Sequence, residues 1–317
     1  MKELKSDLMT GELVIYAQDR ANRPRDNQKE YISESTTQKW VKECPFCKGN
    51  EDETCHETFK IEGETGWVAR SVYNKYPMVD TQSQDIYGKH EVIVDVCDHN
   101  KNFYNMTELE FYNLLKVCKN RYNELIKDEK VKYVSIFKNF MRNSGASLDH
   151  PHSQIISLSI LPPEIKKELY ISKKYYEKRK TNMYEDMIKK EIKYQKRIIN
   201  NTDNFITISP EGVKYGGEIR IFFKNKEETR SLQSETLMEL AKVLQKLFKQ
   251  IYNKKGCLPF NIYLHTPPKE DIHSHEYFNT HIHIVPRKYN FGGFELSTGI
   301  YVSSISPENE AEILKFE

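Results

Sequence analysis

The feature that most constrains the fold is an order of elements that occurs twice along the 317-residue chain. A strand pattern, "HEVIVDV" at 90–96, is followed by an amphipathic helix pattern, a second strand pattern and a His-X-His pair. The same order begins again at "GEIRIFF", 217–223. The two pairs are His150/His152 and His281/His283. Repetition at this scale predicts a duplicated domain, although two amphipathic helices between strands are also common in unduplicated α+β proteins.

Each repeat contains one helix whose start and buried face can be predicted. In the first helix, Thr107 and Glu110 have the spacing of a capping box, and in the second, Ser234 is the predicted N-cap. Apolar residues recur at helical spacing in both. The predicted buried faces are Leu109, Tyr112, Leu115, Cys118, Tyr122 and Leu125 in the first helix, and Leu237, Leu240, Leu244, Leu247 and Ile251 in the second.

The stretch between the repeats is charged, rich in Lys and Glu, and free of Gly and Pro after Pro163, which favours helix. We therefore predict an α+β chain with two tandem domains, each an antiparallel sheet with packed helices. The predicted bounds are 1–165 for the first domain, 166–200 for a helical connector and 201–317 for the second domain.

Charge and hydropathy exclude several classes of protein. The 48 Lys and Arg residues nearly balance the 46 Asp and Glu residues. The net charge therefore gives no general electrostatic reason to expect binding to nucleic acid or to a membrane surface. No apolar run approaches the roughly 18 residues that span a bilayer, and the N-terminus has no signal-peptide core. We expect a cytoplasmic protein, in which six cysteines do not indicate a disulfide framework.

Cys44 and Cys47, in "ECPFCKGNE", have a spacing that lets two thiolates bind one tetrahedral zinc ion. A redox dithiol is the first alternative, but Pro45, Gly49 and the charged surroundings favour a loop over the helix start that such a dithiol needs. Two buried thiols that bind nothing are the second alternative. Zinc needs two further ligands, and the first half offers Cys55, His56, His90, His99, His150 and His152.

The stretch "GASLDHPHSQ" indicates phosphate chemistry. Along a strand His150 and His152 would face the same way, so that one could bind a metal while the other reacts. The small residues 145–147 could present backbone N–H groups and a hydroxyl to a phosphate. Neutral imidazole can attack phosphorus, and Gln154, on the same side, could donate to the phosphoryl oxygens. The alternative for any single histidine is a structural role with a satisfied hydrogen bond.

These motifs, together with "VYNKYP", "LPPEIKKEL" and "GGFELSTG", resemble the galactose-1-phosphate uridylyltransferase family. This family is a duplicated branch of the histidine-triad superfamily, which also contains nucleotide-sugar phosphorylases. The resemblance implies two tandem histidine-triad-like domains. Because no glutamine follows His283 two places on, the second domain is expected to be catalytically silent.

The resemblance also implies roles for residues. His152 would be the nucleophile that becomes uridylylated or adenylylated, and Gln154 and Ser147 would contact the transferred phosphoryl group. Structural zinc would be bound by Cys44, Cys47, His99 and His150. A second site, for zinc or iron, would comprise Glu168, His265, His281 and His283. The nucleotide pocket would include Asn74, Asn139, Gly145 and Ala146. Arg20 and Arg23 would contact substrate phosphate, in a site that the two subunits of a homodimer could share. Phe294 and Glu295 would contact the hexose.

The implied activity is nucleotidyl transfer by double displacement, with a nucleotide sugar and a sugar 1-phosphate or phosphate as partners. The leading expectation is a uridylyltransferase of galactose metabolism that uses UDP-glucose and a hexose 1-phosphate. The nearest alternative is a phosphorylase of ADP-glucose or of a dinucleoside polyphosphate, and a third is a nucleotide-binding protein without turnover. Leu148 and Asp149 stand where uridylyltransferases have Asn-Pro, and Tyr301 replaces an expected glutamine, which favours the phosphorylase-like branch.

Overall fold

A computed structural model describes residues 2–22, 37–225, 231–271, 273–288 and 290–316. The fold is α+β, as predicted. The strands are β1 (Glu3–Ser6), β2 (Leu13–Tyr16), β3 (Glu57–Gly63), β4 (Gly66–Tyr73), β5 (His90–Val94), β6 (Tyr133–Phe140), β7 (His152–Leu158), β8 (Ile198–Asn201), β9 (Phe205–Ile208), β10 (Ile219–Phe223), β11 (Phe260–His265), β12 (His281–Pro286) and β13 (Ile300–Ser303). The α-helices are α1 (Glu108–Leu125), α2 (Pro163–Arg179), α3 (Met183–Tyr194), α4 (Ser234–Lys255), α5 (Gly293–Thr298) and α6 (Pro307–Leu314).

Ten strands form one antiparallel sheet in the order β3-β4-β5-β7-β6-β11-β12-β10-β9-β8. The first half of the chain supplies β3 to β7, the second half supplies β8 to β12, and the halves meet where β6 pairs with β11. A separate sheet joins β1, β2 and β13, with β13 parallel to β2. The two predicted sheets are therefore continuous with each other.

The strand order of the two halves corresponds, since it runs β3-β4-β5-β7-β6 from one edge to the centre and β8-β9-β10-β12-β11 from the other edge. In the first half Phe137 of β6 pairs with Gln154 of β7, and in the second half Asn261 of β11 pairs with Val285 of β12. Across the centre, Asn139 pairs with Asn261. Helix α1 connects β5 to β6 just as α4 connects β10 to β11. This correspondence is what a duplication would produce, and the duplication and its domain bounds stay predictions.

The two faces of the sheet are covered differently. Helices α1 and α4 pack together on one face and bury the largest apolar cluster. On the other face, the segment 44–47 covers β4 and β5, while α2 and α3 cover β8 to β10. Between these two covers a cavity of about 390 Å³ lies over the central strands β6 and β11. Side chains on this face are therefore the ones that a ligand can reach.

The N-termini of α1 and α4 can be compared with the capping residues that the sequence predicted. The capping box of α1 is confirmed: Thr107 Oγ1 accepts from the Glu110 amide, and the Glu110 carboxylate accepts from the Thr107 amide. The N-cap prediction for α4 is wrong, because Ser234 is already helical and Gln233 is the N-cap, with no side-chain cap bond. A serine in the first turn can equally be the first helical residue, so its presence fixes the boundary only to within one position.

The buried face of α4 is confirmed, and that of α1 is confirmed at Tyr122 and Leu125 but displaced by about one residue in its first half. Leu109 is 60% exposed, and the helix instead buries Phe111, Leu114 and Val117. Helix α1 contacts α4 as well as the sheet, so its buried arc is wider than a single stripe. Because apolar residues stand on both sides of the predicted stripe, helical spacing alone could not centre it.

Three further predictions concern the cysteines, the helical connector and membrane-spanning segments. All six cysteines are free. Helices α2 and α3 occupy most of the predicted helical connector, although β8 begins at Ile198, inside its predicted range, and belongs to the sheet. Among the described helices, none is long and apolar enough to cross a membrane.

Candidate active site and metal centres

Four side chains from three separate parts of the first half converge on one point: Cys44, Cys47, His99 and His150. The Cys47 Sγ atom lies 3.4 Å from His99 Nδ1 and 3.6 Å from His150 Nδ1, and the two Nδ1 atoms are 3.3 Å apart. With zinc–sulfur bonds of about 2.3 Å and zinc–nitrogen bonds of about 2.0–2.1 Å, a tetrahedron has sulfur–nitrogen edges of about 3.5 Å and nitrogen–nitrogen edges of about 3.3 Å. The cluster therefore fits a tetrahedral zinc ion.

Local hydrogen bonds orient the side chains of these four possible ligands. The Cys47 amide donates to the Cys44 carbonyl, which closes the turn between the two thiols. His150 donates from Nε2 to the Val96 carbonyl, 3.0 Å away, so its Nδ1 lone pair faces the cluster. The other ligands that the sequence offered, Cys55, His56, His90 and His152, are not members of this group.

The electrostatics of the cluster also fit a cation. Burial raises the pKa of the Cys44 thiol to about 11 and lowers the pKa of the His150 imidazole to about 3. Burial likewise lowers the pKa of His99. The imidazoles are therefore neutral and able to coordinate, and a divalent ion would supply the positive charge that stabilises buried thiolates.

His152, the first residue of β7, lies on the same side as His150, because the Phe46 ring contacts both imidazoles, with ring centroids 5.5 Å and 6.1 Å away. Its Nδ1 donates to the His150 carbonyl at 2.8 Å, which leaves the Nε2 lone pair free. Nε2 has no hydrogen-bond partner among the described residues, and His152 is 7% exposed. Burial lowers the pKa of His152, so this imidazole is neutral near pH 7.

A buried ion pair beneath the sheet holds the backbone at His152. The Lys138 ammonium donates to the His152 carbonyl at 2.8 Å and to an Asp95 carboxylate oxygen at 2.7 Å. Both charged side chains are almost completely buried. The first residue of β7 is thereby fixed on its backbone as well as on its ring.

Two residues predicted to contact substrate meet at His90, which the sequence had offered only as a zinc ligand. Gln154 Oε1 lies 2.8 Å from His90 Nε2, and Asn74 Nδ2 lies 3.1 Å from the same atom. Asn74 also accepts from the Tyr76 amide through Oδ1. Strands β5 and β7 are neighbours in the sheet, which explains how residues far apart in sequence come together.

The predicted phosphate-binding turn is held by side chains of both halves. Gly145 has φ 92°, a conformation that glycine adopts without strain. Asn261 donates to the Ser144 carbonyl at 2.8 Å and to Asn139 Oδ1 at 2.7 Å. Arg287 donates to Asn261 at 3.0 Å. Ala146 is half-buried and Ser147 is exposed at the end of the turn.

A second group of possible ligands, Glu168, His265, His281 and His283, lies on the same face at the other end of the central strands. His281 donates from Nδ1 to the Asn279 carbonyl, and His283 donates from Nδ1 to Glu218, both at 2.8 Å. Both Nε2 atoms are buried; that of His283 has no hydrogen-bond partner among the described residues, and that of His281 lies 3.4 Å from a Glu168 carboxylate oxygen. Imidazole lone pairs beside the Glu168 carboxylate are the donor set of a transition-metal site.

The charges around this second group are unbalanced without an ion. Arg220 is buried between Glu218 and Asp7, whose carboxylates lie 2.7 Å and 2.6 Å from its nitrogens. Burial alone would raise the pKa of Glu168, but the neighbouring His265 and His281 lower it well below its usual range. The three buried carboxylates of Glu168, Glu218 and Asp7 exceed the single guanidinium of Arg220 by two negative charges, which one divalent cation would cancel.

The remaining predicted residues lie elsewhere. Arg20, Phe294 and Glu295 line a cavity of about 580 Å³ near β2 and β13, and His152 is not part of its lining. Phe294 is 48% exposed. Arg23 lies outside the described residues. The predicted hexose residues and the predicted nucleophile thus do not share this cavity.

Sequence reasoning offered His90 only as a zinc ligand and missed several other polar residues that support the site, namely Asp95, Lys138, Glu218, Arg220, Asn261 and Arg287. Most stand inside or beside strands that are otherwise apolar, such as "HEVIV" and "FNIYLH". A polar side chain in a buried strand needs a partner, and that was the available signal. Which partner it has depends on register across the sheet, which the sequence does not state.

Comparisons with known proteins show which family the chain is similar to. A family model described as the N-terminal domain of galactose-1-phosphate uridyl transferase matches residues 2–162, and a domain of unknown function (DUF4921) matches residues 86–315. The ADP-glucose phosphorylase of Arabidopsis thaliana is 28% identical over 99% of this chain and 92% of its own length. The galactose-1-phosphate uridylyltransferase of Thermotoga maritima is 27% identical over 99% of this chain and 98% of its own.

Solved structures show the same relationship. The crystal structure of an ADP-glucose phosphorylase from Arabidopsis thaliana with bound ADP-glucose matches with a TM-score of 0.87 at 25% identity, over 100% of this chain and 99% of that one. A uridylyltransferase structure matches with a TM-score of 0.75 at 21% identity, over 99% of this chain and 97% of that one, and shows the fold alone.

Proposed function

Since the chain belongs to the galactose-1-phosphate uridyl transferase family of the histidine-triad superfamily, we propose that it transfers the nucleotidyl group of a nucleotide sugar through a covalent bond to His152. The observation that carries this proposal is the state of the His152 ring. Its Nδ1–H is engaged by the His150 carbonyl, and its Nε2 is unpaired. A neutral, oriented and unpaired imidazole nitrogen is what attack on phosphorus requires.

In the first half-reaction, His152 Nε2 attacks the α-phosphorus and forms a nitrogen–phosphorus bond. The bond from that phosphorus to the bridging oxygen breaks, and sugar 1-phosphate leaves with the electron pair. The imidazole becomes positively charged, and the His150 carbonyl stabilises it by accepting from Nδ1–H. Gln154, on the same strand face, donates to the phosphoryl oxygens.

In the second half-reaction, an oxygen of the acceptor phosphate attacks the same phosphorus, and the bond to His152 breaks. Neutral His152 is restored, and no net proton is taken up or lost at Nε2. With ADP-glucose and inorganic phosphate the products are glucose 1-phosphate and ADP. With UDP-glucose and galactose 1-phosphate they are glucose 1-phosphate and UDP-galactose.

We assign zinc to Cys44, Cys47, His99 and His150, and a second zinc or iron to Glu168, His265, His281 and His283. The first ion would supply structural rigidity, because it would link the segment before β7 to the turn that contains Cys44 and Cys47, which we call the knuckle. His150 then holds its own carbonyl in place for His152. The second group would connect α2 to β11 and β12 in the same way.

Phosphorolysis of ADP-glucose is the first reaction to test. The Arabidopsis ADP-glucose phosphorylase matches almost the whole chain in sequence and in structure. Leu148 and Asp149 before the histidine pair, and Tyr301 near the C-terminus, favour the same branch. Uridylyl transfer is the second candidate, because the Thermotoga uridylyltransferase also aligns end to end.

The experiment is incubation with ADP-glucose or UDP-glucose labelled at the α-phosphorus, followed by intact mass measurement. We expect an acid-labile nucleotidyl adduct on the wild type with one of the two and none on His152→Ala. Chase with inorganic phosphate or with galactose 1-phosphate then identifies the acceptor. An adduct on His152→Ala would contradict the mechanism. A rise in melting temperature with nucleotide, but no adduct and no turnover, would favour the binding protein.

A further inference from the structure

His90, the first residue of β5, is buried on the same face as Gln154 and contributes to neither metal cluster. Its Nε2 lies 2.8 Å from Gln154 Oε1. The proposed mechanism gives Gln154 a role but leaves open which end of its amide faces the phosphoryl group. The hydrogen bonds of His90 determine this.

The tautomer of His90 follows from one backbone contact. The Met78 amide N–H points at His90 Nδ1, 3.2 Å away. A backbone N–H can only donate, so Nδ1 carries the lone pair. Burial lowers the pKa of His90, which keeps the ring neutral. A neutral imidazole with its lone pair at Nδ1 carries its proton at Nε2.

The Nε2–H of His90 must therefore find an acceptor, and among the described residues Gln154 Oε1, 2.8 Å away, is the acceptor beside it. This bond fixes which amide atom of Gln154 is oxygen and which is nitrogen. The amide nitrogen of Gln154 makes no hydrogen bond with any residue in the described ranges. The Asn74 amide nitrogen also lies 3.1 Å from His90 Nε2, but its Oδ1 accepts from the Tyr76 amide, so the nitrogen is a donor and cannot accept the Nε2–H proton.

We propose that His90 is a positioning residue, which holds the carbonyl of Gln154 so that the Gln154 N–H groups point at the phosphoryl group carried by His152. This inference rests on the proposed function and deepens it. A glutamine turned the other way would present its oxygen lone pairs to an anion and repel it. The tautomer of His90 thus determines which atoms of the Gln154 amide face the phosphoryl group.

Two substitutions separate a hydrogen-bonding role from a packing role. His90→Leu keeps a similar volume and removes the donor, whereas His90→Gln can place an amide N–H near the position of Nε2. We expect His90→Leu to slow single-turnover formation of the His152 adduct by about 10-fold to 100-fold, less than the roughly 100-fold to 1,000-fold that removal of a donor itself costs, because Gln154 is misoriented and not removed. His90→Gln should restore most of the rate. His56→Leu, the same exchange on a half-buried histidine outside the site, is the control and should leave the rate unchanged.

A double-mutant cycle tests the link to Gln154. If His90 acts through Gln154, His90→Leu combined with Gln154→Ala is no slower than Gln154→Ala alone. Rates that multiply would overturn the proposal. So would a His90→Gln variant as slow as His90→Leu with an unchanged melting temperature.

A measurement without substrate keeps this inference separate from the proposed function. Nitrogen-15 NMR of histidine-labelled protein should show His90 as the Nε2–H tautomer throughout pH 6–8. The Gln154 side-chain amide resonance should move in His90→Leu. An Nδ1–H tautomer, or a protonated ring, would overturn the positioning role even if the enzyme forms its adduct. Absence of the adduct in the wild type would instead refute the proposed function and leave the tautomer to decide this inference.

Discussion

His150 and His152 stand two residues apart and present opposite nitrogens to their surroundings. His150 donates from Nε2 to the Val96 carbonyl, and His152 donates from Nδ1 to the His150 carbonyl. Each bond leaves the other nitrogen unprotonated, so the lone pair of His150 faces the thiols and that of His152 does not. Two neighbouring carbonyl groups thereby assign different chemistry to identical side chains.

This difference predicts opposite metal contents for two neighbouring variants. His150→Ala removes one of four ligands and should lose the zinc bound at the knuckle, with a large drop in thermal stability, because structural zinc contributes directly to folding. His152→Ala should keep that zinc and lose only the nucleotidyl adduct. Metal content per chain by plasma mass spectrometry and thermal melts provide the readout. Equal zinc content in the two variants would contradict the assignment.

The second group of ligands makes a separate prediction. His283→Ala removes an imidazole whose Nε2 has no hydrogen-bond partner among the described residues, from a pocket with excess negative charge. We therefore expect the variant to lose one metal equivalent per chain while the knuckle zinc remains. His273→Ala, an exchange at an exposed histidine, is the matched control and should keep both ions. The same mass spectrometry decides. A wild-type protein with a single metal equivalent would refute the second site.

At the scale of elements, hydrophobic periodicity in the sequence predicted individual strands and the buried face of one helix. The strands at β5, β6, β7 and β11 and the α4 face follow from hydrophobic periodicity and agree with the structure. The first half of the α1 face was displaced because packing against α4 decides which of several apolar residues is buried. The pairing of Asn139 with Asn261 could not be predicted, since register between strands 122 positions apart is set by the whole sheet.

The Asn261 contacts predict that β11, in the half expected to be silent, supports the phosphate-binding turn. Asn261→Ala removes hydrogen bonds to the Ser144 carbonyl and to Asn139, and we expect a loss of about 1–2 kcal/mol in the free energy of unfolding. Adduct formation should slow as well, because the turn loses its anchor. Urea denaturation and single-turnover rates measure the two effects.

An exposed asparagine on the helix that precedes β11 provides the control. Asn253→Ala on α4 removes the same amide from a solvent-facing position and should change the unfolding free energy by less than about 0.5 kcal/mol. If Asn261→Ala were as mild as Asn253→Ala in both measurements, the turn would not depend on the second half.

At the scale of the whole molecule, one open strip of sheet face organises the site. The knuckle covers one end, α2 and α3 cover the other, and the cavity between them runs from Asn139 to His265. The two possible metal centres lie at the two covered ends, where bound ions would hold these covers against the sheet. Arg20, Phe294 and Glu295 line a different cavity, and His152 is part of the lining of neither cavity.

If these residues serve the reaction at His152 from a second copy of the chain, inactive variants should complement each other. Arg20→Ala and His152→Ala, each inactive alone, should regain activity when their subunits are exchanged. Random exchange makes half of the dimers mixed, and each mixed dimer has one site with both residues, so about a quarter of wild-type activity should return. Self-exchange of either variant should recover none. A mixture no more active than its two components would place Arg20 outside the site that contains His152.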